Sequence, residues 1–359
     1  MDSVVSARHR DNNFNILRMF AALAVLITHS FALATGDPRA EPFRGTLGMT
    51  MGLMAVDVFF ITSGFLITGS LLKRGGAIEF IWARALRIFP ALVVMLVITV
   101  FGMGLFVTTL PVDQYLTSKQ VYSYFVYCAT LFFGVAYDLP GVFTDNPYKN
   151  AVNGSLWTLP YEVRMYAILL GLWCITRVLK GVDSKSFKVL ITCLSFFFLA
   201  SIFYTRQTNS PIAPLFMLGY MFFIGSVFYL WKDKILLNKH IALPALVVLV
   251  AAANIDKTIF FVLYILLLPY IVLYFAYFPS RLVRNYNRFG DYSYGVYIYA
   301  FPVQQCLAFM MPGISVRNMI FFSLSITLVL AIASWNLVER HALLLKGKSL
   351  KYLGSIGVR

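Results

Sequence analysis

The apolar residues of this chain fall in blocks of nearly 20, separated by short polar stretches. Each block is long enough to cross a hydrocarbon layer of ~30 Å as a helix. No other feature restricts the fold as strongly. Soluble domains carry about 25% charged residues, whereas 60% of these 359 residues are hydrophobic and only 13% are charged. That balance excludes a water-soluble enzyme, a disordered chain and a coiled coil. In lipid the backbone must satisfy its own hydrogen bonds, so the expected class is an all-α polytopic membrane protein.

Apolar spans are expected at about 14–34, 50–72, 88–110, 156–179, 187–204, 212–231, 241–254, 259–278, 293–311 and 318–338. A shorter aromatic block, 121–137, would make an eleventh. Charge separates the two topologies, because Lys and Arg accumulate on cytoplasmic loops. With 121–137 lying on the outer face and the N-terminus inside, 21 basic residues fall on inner segments and 7 on outer ones. Counting 121–137 as a crossing puts the later basic loops on the wrong side. The expectation is therefore about ten transmembrane helices in one domain over 1–359, both termini cytoplasmic, with a short aromatic segment outside. The run from Phe14 to Ala34 exceeds the h-region of a signal peptide. Pro90 and Pro160 are expected near helix starts, where a missing N–H is harmless.

A net charge of +15 would suggest nucleic acid in a soluble protein; here it is accounted for by loop topology, and no nucleic-acid partner is expected. Cys128, Cys174, Cys193 and Cys306 all lie in apolar blocks without metal-ligand spacing. No metal site is expected.

Ionisable side chains inside the spans are costly enough to require a reason. His29 is the one histidine of four in a span, and Asp57 and Glu162 are the embedded carboxylates. The first helix runs outward and the second and fourth inward, which brings these three to one depth near the outer face. Arg18 lies toward the inner end, where Arg84 and Arg87, one turn apart, can share a helix face. Arg18 and His29 are eleven residues apart, within ~20° of three full turns and ~16 Å along the axis. Both can face one channel, which suits an elongated anion entering from the cytoplasm with its reactive end near the outer surface. Simpler readings stand beside this one. Arg84 and Arg87 also fit positive-inside anchors, Arg18 a snorkelling side chain, and His29, Asp57 and Glu162 structural partners of neighbouring helices.

The order of motifs resembles the integral-membrane acyltransferase family 3, which includes bacterial O-acetyltransferases of O-antigen and exopolysaccharide. Arg18 with ten residues to His29 is similar to that family's first-helix signature, and Val56-Asp57-Val58-Phe59-Phe60 through Ser63-Gly64 to its second-helix motif. Arg84-Ala-Leu-Arg87 resembles its Arg-x-x-Arg motif opening the third helix, and Asn153-Gly-Ser155-Leu-Trp157 through Glu162 its Trp-and-Glu segment. Ser293-Tyr294 through Pro302 and Ser334-Trp335 through Glu339 resemble its late motifs. The resemblance implies a ten-helix fold, with acyl-CoA, usually acetyl-CoA, as co-substrate and no permanently bound cofactor. It implies transfer to a hydroxyl of a glycan or lipid-linked saccharide across a bacterial inner membrane, with the active site toward the outer face. It makes His29 the essential histidine and links Arg18, Arg84 and Arg87 to donor binding or catalysis. Ala300 stands where many relatives have histidine, so no second base is expected there.

A sugar hydroxyl needs a base at neutral pH, and His29 is the embedded imidazole. Asp57 or Glu162 would orient it, as the third member of a triad does. Trp157, Ser63 and Tyr166 are candidates for contacts to acceptor or oxyanion, Ser63 also for the donor side. Direct transfer and an acyl-enzyme on Ser63 or His29 both remain open, although no Gly-x-Ser-x-Gly elbow is present. The competing class is a proton-coupled transporter or flippase of a lipid-linked saccharide, with His29, Asp57 and Glu162 as proton relay. Many carriers show paired broken helices in matching halves, whereas the embedded signals here cluster in the first 166 residues.

Overall fold

The structure, a computed structural model, describes residues 12–74, 76–180, 184–278, 286 and 290–347. Of the basic residues counted toward the inner side, Arg8, Arg10, Arg281, Arg284, Arg288, Lys348, Lys351 and Arg359 lie outside the described residues. Among the described residues there is no strand. The main helices are α1 (Phe14–Thr35), α2 (Met51–Arg74), α3 (Ala77–Val97), α4 (Lys119–Thr130), α5 (Leu159–Lys180), α6 (Ser184–Gln207), α7 (Ala213–Leu230), α8 (Lys239–Ala253), α9 (Lys257–Tyr277), α10 (Ser293–Met310) and α11 (Val316–Ser334). Local chemistry starts several of them. Asp256 accepts hydrogen bonds from the N–H groups of Thr258 and Ile259 at the head of α9, and Ser315 caps α11.

Among the described residues, seven helical stretches are long and apolar enough to cross a membrane: Phe14–Thr35, Met51–Lys73, Ala77–Val107, Lys185–Gln207, Ala213–Leu230, Lys257–Tyr277 and Val316–Leu344. Large apolar side chains on them, such as Phe196, Phe321 and Val329, point out of the protein, as lipid contact requires. The other three expected spans are also helical but differ in character. Helix α5 carries Glu162, Arg164, Arg177 and Lys180. Helix α8 has 15 residues, about 22 Å at 1.5 Å per residue. Helix α10 is interrupted by polar Ser293, Gln304 and Gln305, all buried.

The expected start of the third span and the expected place of Pro90 are corrected. The third span begins eleven residues before position 88, at Ala77 after an extended Gly76. Arg84 and Arg87 therefore lie two to three turns inside α3 instead of ahead of it, and Pro90 is interior. Pro160 does stand at the second position of α5. The 121–137 block yields only the 12-residue α4, closed by Leu131 in the left-handed region at φ 58°. At about 18 Å it is too short to cross a bilayer.

The chain divides into two compact units. One comprises the chain up to Ala21, Phe43–Gly75 and Arg164–Gly290; the other comprises Ala22–Pro42, Gly76–Val163 and the chain from Asp291. In the first unit α2 and α7 meet backbone to backbone. A Cβ on Gly64 would lie 1.8 Å from the Phe222 carbonyl oxygen, and one on Gly225 would lie 2.2 Å from that of Ile61. The Ser226 hydroxyl donates to the Gly64 carbonyl at 3.3 Å across the same seam. Where lipid removes the hydrophobic drive between helices, small residues that permit close approach supply the packing. Asn13 Nδ2 also donates to the carbonyls of Phe275 and Phe278, tying the head of α1 to the end of α9.

In the second unit α10 is buried along most of its length. Gln304 Nε2 donates to the Leu26 carbonyl at 2.8 Å and to Ser30 Oγ at 2.7 Å. These bonds fix the second half of α1 against α10.

Replacing Gly64 or Gly225 by Ala should lower stability by about 3 kcal/mol, the upper end of overpacking costs, because the obstacle is backbone. Thermal unfolding of the purified protein in detergent measures this. An unchanged melting temperature for both variants would refute the close seam.

Candidate active site

The second unit carries His29. Its Nδ1 lies 3.4 Å from Ser155 Oγ, and the Phe301 ring of α10 meets the imidazole edge-on, centroids 5.2 Å apart. Ser155 belongs to a 3₁₀ turn, Gly154–Thr158, that leads into α5. Asn153 builds this turn. Its Oδ1 accepts the Ser155 N–H at 3.2 Å, while its Nδ2 donates to the Ile298 carbonyl at 2.9 Å. Tyr297 completes the clamp, donating to the Ser155 carbonyl at 2.6 Å and lying 2.5 Å from Thr158 Oγ1. Gly154 is required here, because a Cβ would strike the Phe301 ring at 2.7 Å. Ser155 is 1% exposed, so its hydroxyl is aimed at the imidazole inside a water-poor turn.

Trp157, on the same turn, is half-buried and edge-on to Tyr161, centroids 5.8 Å apart. Glu162 stands in the first turn of α5. Arg84 and Arg87 follow on α3. Arg87 is ion-paired with Asp291 through one guanidinium nitrogen and with Glu339 through the other, the latter at 3.1 Å. The three side chains are at most 15% exposed. Arg87 also lies 5.6 Å from the Tyr294 ring centroid, and Ser293 Oγ and Ser334 Oγ donate to Asp291 and Glu339.

The first unit holds the remaining sequence candidates. Asp57 is 2% exposed, and its Oδ2 accepts the Tyr264 hydroxyl at 2.7 Å. The Arg18 guanidinium lies 5.8 Å from the Phe59 ring centroid, Ser63 is buried on α2, and Tyr166 packs against Phe222 with centroids 5.9 Å apart.

Sequence reasoning gave no role to Ser155 and Glu339, which it quoted only within motifs, and did not single out Asp291. A local signal for Ser155 existed: Asn153 two residues ahead is an N-cap of the kind that starts a turn. Asp291 and Glu339 precede or end apolar blocks and read as ordinary interfacial charges, and only their meeting with Arg87 sets them apart.

The chain is similar to proteins already known. The sequence model of the family described as "Acyltransferase domain" matches residues 11–336. A protein named O-acetyl transferase from Shigella phage Sf6 is 32% identical over 345 residues, covering 93% of this chain and 97% of its own length. Nodulation protein 10 of Rhizobium leguminosarum bv. viciae is 29% identical over 377 residues, with 95% of each chain covered. No solved structure matches significantly. With a family match across nearly the whole chain and apolar helices long enough for a bilayer, this protein belongs to acyltransferase family 3 and is an integral membrane acyltransferase.

Proposed function

We propose that the protein moves an acyl group, in the first instance acetyl, from acyl-CoA to a hydroxyl of a cell-envelope or exported glycan, with His29 as general base. The observation that carries the reading is the imidazole facing the buried Ser155 hydroxyl in a turn anchored on both sides. Hydrogen bonding at one ring nitrogen selects the tautomer. With Nδ1–H donating to Ser155 Oγ, Nε2 keeps its lone pair for the acceptor proton. As the acceptor oxygen bonds to the thioester carbon, its proton passes to Nε2. The C–S bond then breaks, and the CoA thiolate takes the proton back. Ser155 acts as a positioning residue. Glu162, in the first turn of the helix that this 3₁₀ turn leads into, is retained as a catalytic candidate.

On the donor side, guanidinium forks match phosphate oxygens. Arg87 is balanced by two carboxylates, which orient its guanidinium and reduce its pull on an anion; Arg84 on the same face of α3 is proposed as a second donor contact. Arg18 and Ser63 keep the donor-side roles that the sequence pattern and the family resemblance give them; Asp57 is not assigned to the imidazole, both of whose nitrogens are engaged, and accepts the Tyr264 hydroxyl. The same reading includes ten spans, cytoplasmic termini, residence in a bacterial inner membrane and an active site toward the outer face. The loop-charge bias and the helices over all ten apolar blocks support it.

Three variants test this in a reconstituted transfer assay. His29→Ala should lose the ~10²–10⁴-fold that a general base contributes while remaining folded; near-wild-type turnover would refute the assignment. Ser155→Ala should lower kcat by about ten- to hundred-fold with both KM values within two-fold, and Ser155→Thr, which keeps the hydroxyl, should recover part of it. Equal loss in the two Ser155 variants would mean that the turn needs the serine for packing alone. Arg84→Ala should weaken CoA binding by about ten-fold in isothermal titration, since charged hydrogen bonds contribute about 1.5–3 kcal/mol. Arg87→Ala is the poorer probe, because it strands Asp291 and Glu339 without their cation. Unaltered CoA affinity in Arg84→Ala would overturn the donor assignment.

A further inference from the structure

A cleft of about 660 Å³ opens in the second unit beside the His29 turn, lined by Tyr137, Tyr148, Lys149, Asn150, Gly154 and Trp157 among others. We infer that this cleft is the acceptor subsite, holding the terminal pyranose rings of the glycan with their C–H faces against Tyr137, Tyr148 and Trp157. The inference rests on the acyl-transfer reading above.

Four observations carry it. The volume falls within the ~300–1,000 Å³ of small-molecule sites. The lining is aromatic but not greasy: three amphipathic rings stand beside an amide and an ammonium. Polarised C–H groups of a sugar ring suit the electron-rich face of an aromatic side chain, and its hydroxyls suit Asn150 and Lys149.

The cleft is also next to the chemistry. Gly154 and Trp157 belong to the turn that presents Ser155 to His29. The Tyr148 ring lies 6.2 Å from Phe301, which also meets the imidazole at 5.2 Å.

Third, the walls are fixed by buried groups that do not face the ligand. Gln305 Nε2 donates to the carbonyls of Tyr148 at 2.9 Å and Ala151 at 2.6 Å, and Asn146 Nδ2 donates to Gln305 Oε1 at 2.7 Å. The Val152 N–H donates to the Tyr137 carbonyl at 2.6 Å. Gly36, at φ 75°, lets the end of α1 approach Pro147 so closely that a Cβ would lie 2.8 Å from its carbonyl oxygen. A cleft held open in this way loses little freedom when it binds.

Finally, the lining does not suit the donor. A nucleotide thioester brings a pyrophosphate that calls for clustered guanidinium forks, and Lys149 is the one cationic side chain among the described residues that line the cleft.

Full-length protein in nanodiscs, acetyl-CoA and de-O-acetylated surface polysaccharide from a strain lacking the gene provide the test. Tyr137→Ala and Tyr148→Ala should each raise KM for the polysaccharide about ten-fold, with KM for acetyl-CoA within two-fold of wild type. Gln305→Leu, which removes the clamp but no lining side chain, should act in the same direction. Unchanged polysaccharide KM in both tyrosine variants would overturn the subsite. So would a parallel rise in both KM values, which would report general damage. Wild-type protein that transfers no acetyl to this polysaccharide would instead defeat the transfer reading, and the subsite with it.

Discussion

The five residues Gly154–Thr158 form a short 3₁₀ turn whose local anchor is the Asn153 side chain at its head. Helices of this kind have poor hydrogen-bond geometry and rarely persist alone. Here the turn is held from α10: Tyr297 binds the Ser155 carbonyl, and the Ile298 carbonyl takes the Asn153 amide. In a site with little water these bonds have no competing partner, so breaking one leaves a buried polar group unsatisfied. The turn is therefore rigid because its alternatives are costly. The direction of the Ser155 hydroxyl, the packing of Phe301 against His29 and the position of the Trp157 ring all follow from it.

The Arg87 cluster obeys the same rule with charges. Removing three charges from water costs several kcal/mol per ion, and mutual attraction offsets this only where the remaining hydrogen-bond positions are filled. On the carboxylates such positions are filled here. Asp291 receives the Ser293 hydroxyl and N–H, Glu339 receives the Ser334 hydroxyl, and Tyr294 covers the guanidinium while donating its own hydroxyl to the Ile88 carbonyl. Arg87 thereby joins α3 to the head of α10 and to the π-helical turn Trp335–Glu339 that follows α11.

What the sequence makes legible is what depends on a single helix. The apolar blocks locate the helices to within a few residues, because the requirement for internal hydrogen bonding acts on each segment separately. The largest boundary error, at α3, arose because Ala77–Arg87 mixes Glu79, Arg84 and Arg87 with Ile78, Ile81 and Trp82, which reads as a loop when hydropathy is averaged. His29 was legible as an isolated cost. Its partner was not, since Ser155 is a small polar residue at a helix start, a position that needs no functional reason. The pairing of Arg87 with two carboxylates more than 200 residues away leaves no local trace. Neither does the aromatic cleft, because Tyr137 and Tyr148 read equally well as an interfacial belt.

The two units show different answers to one difficulty, that helices in lipid gain nothing from apolar contact alone. In the first, Gly64 and Gly225 let α2 and α7 touch by backbone, with the Ser226 hydroxyl bonded across the seam. In the second, side-chain amides do the joining: Gln304 grips α1, while Gln305 and Asn146 grip the 146–151 loop. An amide has donors and acceptors at fixed angles, so it accepts one register and penalises the others with an unsatisfied polar group. A base that must meet a hydroxyl within hydrogen-bonding distance needs that kind of joint. The concentration of buried Asn and Gln around His29 is consistent with a unit built for positional accuracy, at the cost of polar groups that a purely structural bundle would have no reason to bury.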